Sequence, residues 1–149
     1  GEGDVQIRSY LTALCASISA SMIHDPSLVV LQVVADDAAV DAKVSVCLGL
    51  IVTELVINAL KHAFPDRASG RITVGYESNG GDWALTVRDD GVGVSGGGRR
   101  GLGTSIVEAL AQQLGAQVAI EDARPGAAIS IVHGVRSPSR MERVARPAV

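Results

Sequence analysis

Four polar residues follow one another at helical spacing in an otherwise apolar segment of the chain. Glu54, Asn58 and then Lys61 or His62 are separated by four and by three or four positions, so they lie along one side of an α-helix. Mg²⁺ prefers oxygen ligands and is commonly shared between a protein oxygen and the phosphates of a substrate. The same stripe can equally be the solvated side of a helix, and these residues alone leave both interpretations open.

Two glycine clusters lie downstream, in a stretch from Asp89 to Gly103 that contains seven glycines. The first reads Asp-Asp-Gly-Val-Gly from Asp89, and the second reads Gly-Leu-Gly from Gly101, directly before a helical pattern that begins at Thr104. Glycine lets a backbone approach a ligand closely, and the N–H groups at a helix start form an anion site. The clusters therefore predict a phosphate-binding loop that faces the polar stripe.

In order and spacing, the polar helix and the two glycine clusters resemble the N box and the two glycine boxes of the GHKL or Bergerat fold. Histidine kinases, gyrase-type topoisomerases, Hsp90 chaperones and MutL share this nucleotide-binding fold. The resemblance covers about residues 7 to 133 and implies ATP as a substrate and Mg²⁺ as a cofactor. It also implies an α+β protein, a two-layer α/β sandwich with a mixed, mostly antiparallel sheet and helices on one face.

The resemblance assigns roles to individual residues. Asn58 matches the N-box residue that holds Mg²⁺, Glu54 matches the residue that polarises the attacking group, and Lys61 matches an ammonium that reaches a phosphate. Asp89 matches the carboxylate that accepts a hydrogen bond from the adenine amine, a contact that guanine cannot make. The other implied nucleotide contacts are His62, Gly91 and Gly93, then Arg99 and Arg100 in a short lid, and Gly101, Leu102, Gly103 and Thr104 in the second box.

Within the fold, the chain is similar to the bacterial histidine kinases of the HisKA_2 and HWE groups. The similarity lies in the Lys61-His62 pair of the polar helix and in Tyr10 and Leu11 of the leading helix. The sequence around Trp83 lacks the Trp-x-Glu signature of the HWE group, which favours the HisKA_2-like branch.

Two features depart from a complete kinase of this family. The phosphorylated His of such kinases lies in a dimerising helical hairpin, whereas His24 ends a helix beside a proline and His133 closes a strand. The last strand pair of the family commonly begins with Gly-Thr, whereas Ala127 follows glycine here. The second departure predicts a reduced nucleotide affinity unless another group, such as Ser130, compensates.

The resemblance implies the catalytic domain of a two-component sensor histidine kinase, which transfers the ATP γ-phosphate to a His in a dimerisation domain absent from this chain. The implied partners are that phosphoacceptor domain and the receiver domain of a response regulator. Two alternatives stay open: an anti-sigma-factor-like serine kinase, and a degenerate nucleotide-binding module that supports phosphatase activity.

The apolar periodicity predicts an α-β-α-β-β-loop-α-β-β order, typical of one mixed sheet with helices on a single face. The predicted elements are a helix over 5–22, a strand over 28–35, a helix capped by Asp41 that runs to about Phe64, a hairpin with strands near 72–76 and 83–87, a helix over 104–114 that stops at Gly115, and strands over 116–121 and 127–133 joined by a turn around Arg124-Pro125-Gly126. The side of the long helix opposite the polar stripe is expected to be apolar and to carry, in various orientations, Leu50, Val52, Val56, Ile57, Leu60 and Phe64. The predicted organisation is a leading helix over 1–25, an ATP-binding domain over 26–134, and a flexible basic tail over 135–149.

Composition restricts the classes of partner. A net charge of -3, with 13 Lys and Arg against 16 Asp and Glu, gives no basic surface for nucleic acid. Cys15 and Cys47 lie in apolar, helix-like segments and are expected to be free thiols. Polar residues interrupt the longest apolar runs, so we expect no membrane span and no membrane contact by this domain. The expected location is the cytoplasm, with a parent protein that can be membrane-anchored.

Overall fold

The computed structural model describes residues 3–64, 69–91 and 105–134. In chain order the helices and strands are β1 (Val5–Gln6), α1 (Ile7–Met22), β2 (Val29–Ala35), β3 (Ala39–Val40), α2 (Ala42–His62), β4 (Gly70–Asn79), β5 (Asp82–Asp89), α3 (Ser105–Gln113), β6 (Gln117–Asp122) and β7 (Ala127–His133). The predicted order of the main elements is confirmed, and the observed ends lie within about three residues of the predicted ones. The predicted tail over 135–149 lies outside the described residues.

The main sheet has five strands in the order β2-β4-β5-β7-β6. Strand β2 runs parallel to β4, and every other neighbouring pair is antiparallel. One face is buried under the helices, as the alternation of core residues along the central strands indicates: Ile72, Val74 and Tyr76 on β4, Leu85 and Val87 on β5, and Ile129 and Ile131 on β7. The opposite face carries partly exposed polar side chains such as Thr86 and Ser130, whose hydroxyls lie 3.0 Å apart. The predicted two-layer sandwich is confirmed.

Helix α1 buries one stripe against this sheet. Its apolar residues recur every three or four positions, and Ile7, Leu11, Cys15 and Ile18 are the buried ones. The helix starts two residues later than predicted, because Val5 and Gln6 pair with Val40 and Ala39 in a two-stranded ladder. Two-residue strands carry no periodicity of their own, so the sequence gives no signal for them.

Helix α2 passes through the middle of the helical layer. Asp41 caps its first turn as predicted, because the carboxylate accepts a hydrogen bond from the Lys43 N–H at 2.7 Å. Among the residues expected on the apolar stripe, Val52 and Val56 are fully buried, whereas Leu50 is 53% exposed. By length and composition alone α2 is apolar enough to cross a membrane, but its buried residues belong to the core of the protein.

Helices α1 and α2 approach each other closely at one glycine. A methyl group added at Gly49 would lie 2.2 Å from the Tyr10 hydroxyl oxygen. The phenol ring of α1 therefore occupies the space that a side chain of α2 would otherwise fill, and this contact fixes the separation of the two helices.

Candidate functional site

Asp89 is a buried carboxylate at the end of a central strand. It is the last residue of β5, only 4% of it is exposed, and it lies in the row of inward-facing residues that includes Leu85 and Val87. Its Oδ1 accepts hydrogen bonds from the backbone N–H groups of Gly91 at 2.9 Å and Ala127 at 3.4 Å. A buried charge requires such partners, and the two donors hold one edge of the carboxylate in a defined position.

Gly126 lies directly before β7 and packs against the backbone of Asp89. Its φ is +96°, and a methyl group added there would lie 1.7 Å from the Asp89 carbonyl oxygen and 2.8 Å from the Asp90 Cα. Only glycine permits both this conformation and this approach. The sequence pattern predicts Gly126 only as a turn residue. The available signal was the Gly that precedes Ala127, in the place of the family's Gly-Thr pair.

Gly91 connects the Asp89 loop to the end of helix α2. A methyl group added at Gly91 would lie 2.1 Å from the Ala63 carbonyl oxygen and 2.7 Å from the Ala63 Cβ. Ala63 is the C-terminal cap residue of α2 and is itself buried. The last turn of α2 therefore lies directly against the glycine that donates a hydrogen bond to Asp89.

The four polar residues predicted on α2 lie on the less buried side of that helix. Glu54 and Asn58 are half-buried, and Lys61 and His62 are exposed in its last turn. The buried residues of α2 are on the opposite side and pack into the core. Since the helix ends against Gly91, the tertiary structure brings the helix that carries these four side chains to the loop that holds Asp89.

The remaining predicted site residues lie outside the described part of the chain. They are Gly93, Arg99, Arg100, Gly101, Leu102, Gly103 and Thr104. Their proposed contacts with nucleotide remain predictions. Helix α3 starts at Ser105, two positions after Gly103, so the second glycine cluster precedes a helix as predicted.

Three of the predicted site residues in the described part of the chain carry side-chain oxygen atoms, namely Glu54, Asn58 and Asp89. Residues 3–64, 69–91 and 105–134 contain no group of three or more His, Cys, Asp or Glu side chains placed to hold a metal. The expected contact of Asn58 with Mg²⁺ stays a prediction.

Comparison with known proteins identifies the family. Residues 44–136 match the sequence profile described as histidine kinase-, DNA gyrase B-, and HSP90-like ATPase. The chain is 31% identical over 132 residues to blue-light-activated histidine kinase 2 of Erythrobacter litoralis, an alignment that covers 85% of this chain and 38% of that protein.

Solved structures of histidine kinases share this fold. The blue-light-activated histidine kinase EL346 of Erythrobacter litoralis superposes with a TM-score of 0.74 at 30% identity, over 86% of this chain and 41% of that one. The histidine kinase AdeS of Acinetobacter baumannii superposes with a TM-score of 0.68 at 15% identity, over 87% of this chain and 64% of that one, which is a likeness of fold alone. The chain thus spans about two fifths of the Erythrobacter relatives. It belongs to the family of histidine kinase-, DNA gyrase B- and HSP90-like ATPases.

Proposed function

We propose that this chain is the ATP-binding catalytic domain of a two-component sensor histidine kinase. It would transfer the γ-phosphate of ATP to a His in a dimerisation domain of a longer protein, from which a response regulator receives the phosphoryl group. The site would work in the cytoplasm, where ATP is available. The observation that carries the proposal is the buried Asp89 carboxylate, held by two backbone N–H groups beside the end of the helix that bears Glu54 and Asn58.

Asp89 selects the base in this proposal. The adenine amine is a hydrogen-bond donor, and a fixed carboxylate is its natural acceptor. Guanine presents a carbonyl oxygen at the same position, which would face the carboxylate without a shared proton. Because Gly91 and Ala127 restrain Oδ1, the carboxylate is already oriented before the base arrives, and little ordering is needed on binding.

In this proposal the polar side of α2 binds the phosphates and their metal ion. Asn58 would supply the protein oxygen to Mg²⁺, which neutralises phosphate charge when bound. Glu54, one turn earlier, would orient the attacking imidazole and accept its proton, an effect of roughly 10²- to 10⁴-fold. Lys61 would contact a phosphate, with His62 tuning the pocket. Gly93 and the segment from Arg99 to Thr104 would contribute the lid and the phosphate loop.

Titration calorimetry with a non-hydrolysable ATP analogue, with and without Mg²⁺, tests the assignment of Asp89. Asp89→Asn replaces one carboxylate oxygen by an NH₂ group, which is a hydrogen-bond donor and would face the donor amine of adenine. We expect binding to weaken at least about 100-fold, a loss of about 3 kcal/mol of binding free energy. Asp90→Asn is the matched control, because Asp90 is the adjacent exposed carboxylate and accepts a hydrogen bond from the Arg71 N–H instead. Equal affinities for the two variants would remove Asp89 from the base pocket.

Phosphotransfer by the full-length protein tests the catalytic roles. Glu54→Ala should lower the rate of His phosphorylation about 10²-fold or more with little effect on binding of the analogue, whereas Asn58→Ala should weaken both and remove the Mg²⁺ dependence of binding. An unchanged rate for Glu54→Ala would exclude Glu54 as the base.

Two other functions make different predictions for the same assays. A serine kinase would produce an acid-stable phosphoprotein, while a phosphohistidine is acid-labile. A degenerate regulatory module is favoured by Ala127, a methyl side chain in the place of a hydroxyl. It would bind nucleotide weakly and show no phosphotransfer.

A further inference from the structure

An apolar cleft opens on the other side of the last turn of α2 from Glu54 and Asn58. It lies between that turn and the connection from α1 to β2, and its volume is about 260 Å³. Apolar walls come from Met22, Leu28, Leu60 and Phe64, and His24 and Asp25 add an imidazole and a carboxylate. Met22 and Leu28 are both more than one-third exposed, so the cleft is accessible from solvent.

The size and lining of the cleft define a class of ligand. An engineered apolar cavity of about 150 Å³ holds benzene, and typical small-molecule sites start at about 300 Å³, so the cleft fits a molecule of one or two rings. The imidazole of His24 offers a hydrogen-bond partner for a hydroxyl group. The Asp25 carboxylate, which the Ser27 hydroxyl and N–H hold in place through hydrogen bonds of 2.6 and 3.0 Å, disfavours an anion.

The cleft and the proposed nucleotide site share one structural element. Leu60 and Phe64 face the cleft, while Ala63, on the same turn, packs against Gly91, which donates to Asp89. Leu60 and Phe64 are only partly buried in the free protein. A ligand in the cleft adds apolar contacts to this turn and stabilises the position in which Ala63 supports the Asp89 loop.

We propose that this cleft is an effector site for small, neutral, hydroxylated ring molecules, and that its occupation strengthens nucleotide binding through the last turn of α2. The coupling rests on the proposed role of Asp89, whereas ligand binding to the cleft does not. By linkage, bound nucleotide raises the affinity for the effector by the same factor by which bound effector raises the affinity for nucleotide.

Phenol is the probe for the cleft, and amide chemical shifts measured by NMR report its binding. We expect saturable shifts at Val29, Leu60 and neighbouring residues with a Kd of about 1 mM, in the range of ligands of this size. Benzoate carries the same ring with a negative charge and should bind at least about fivefold more weakly. Non-saturating shifts up to about 10 mM, or shifts located elsewhere, would overturn the site, and equal affinities for phenol and benzoate would overturn the ligand class.

A pair of variants on one segment tests the location. Leu28→Trp fills the cleft and should abolish phenol binding. Val30→Trp is the control, because Val30 is equally exposed, at 39% against 38% for Leu28, but does not line the cleft. Both positions are on the surface, so both variants should fold, which thermal unfolding checks. Retained phenol binding by Leu28→Trp would contradict the proposal.

The coupling is tested by titrating the ATP analogue with and without saturating phenol. We expect two- to fivefold tighter nucleotide binding in wild type and in Val30→Trp, and no enhancement in Leu28→Trp. An unchanged affinity in wild type would overturn the coupling. If wild type binds no nucleotide at all, the proposed function fails, while the phenol titration without nucleotide still decides whether the cleft is a binding site.

Discussion

Replacing Gly126 by alanine should destabilise the protein by about 2 to 5 kcal/mol. The residue has a φ of +96°, and an L side chain in a left-handed conformation costs about 1–2 kcal/mol. The new methyl group would also lie 1.7 Å from the Asp89 carbonyl oxygen, where ordinary contact begins near 3.4 Å. The opposing atoms are backbone, so strands β5 and β7 must separate locally, at a cost of about 1–3 kcal/mol.

Urea unfolding of Gly126→Ala and of Gly80→Ala separates these two contributions. Gly80 lies in the β4–β5 turn with a φ of +65°, and a methyl group added there meets no atom within 4 Å. The control therefore has a conformational cost but no steric one, and it should lose only about 1 kcal/mol. If both variants lose the same free energy of unfolding, the close approach of Gly126 to Asp89 is not a constraint in solution.

The same variant links the fold to the site. Separation of the strands at Gly126 moves the Ala127 N–H away from the Asp89 carboxylate, so binding of the ATP analogue should weaken by about tenfold or more. Gly80→Ala should bind as wild type, because its turn is at the opposite end of β5 from Asp89. Wild-type affinity in a folded Gly126→Ala protein would show that Asp89 does not depend on this strand.

Three further predictions concern the helical layer. Burial raises the pKa of the Cys15 thiol from 9.0 to about 11, so the unfolded thiol ionises first and stability falls as pH rises from about 9 to 11. Between those pH values the free energy of unfolding of wild type should fall by about 2–3 kcal/mol more than that of Cys15→Ala. The same pH dependence of unfolding in both proteins would refute this expectation. Asp41→Ala removes the cap of α2 and should cost about 1 kcal/mol in urea, against almost none for the exposed Asp37→Ala. Gly49→Ala should displace the Tyr10 ring and cost about 1–3 kcal/mol, and the double variant with Tyr10→Phe, which removes the nearest oxygen, should recover part of that loss.

Elements with strong local signals could be predicted from the sequence. The cap at Asp41, the stop at Gly115 and the alternation in β4 and β5 are patterns of a few neighbouring residues, and each matches the structure. Membership of the ATPase family, inferred from the order of the polar helix and glycine clusters, is confirmed by the profile match over residues 44–136. The individual nucleotide contacts remain predictions.

Features that depend on distant parts of the chain were missed. The pairing of Val5 with Val40 and the exposure of Leu50 are set by neighbours that no local pattern contains. Helical periodicity places Leu50 on a stripe, but which stripe the sheet and the other helices cover is decided by packing.

The sequence by itself determined which residues share a helix face and which strands alternate, because these follow from the geometry of a few consecutive peptide units. Only the tertiary structure decided that Gly126 packs against Asp89 and that Ala63 packs against Gly91. These contacts join residues that are 37 and 28 positions apart in the chain. Their positions follow from how the helices and strands pack around one core, a sum of many weak contacts that no local pattern encodes.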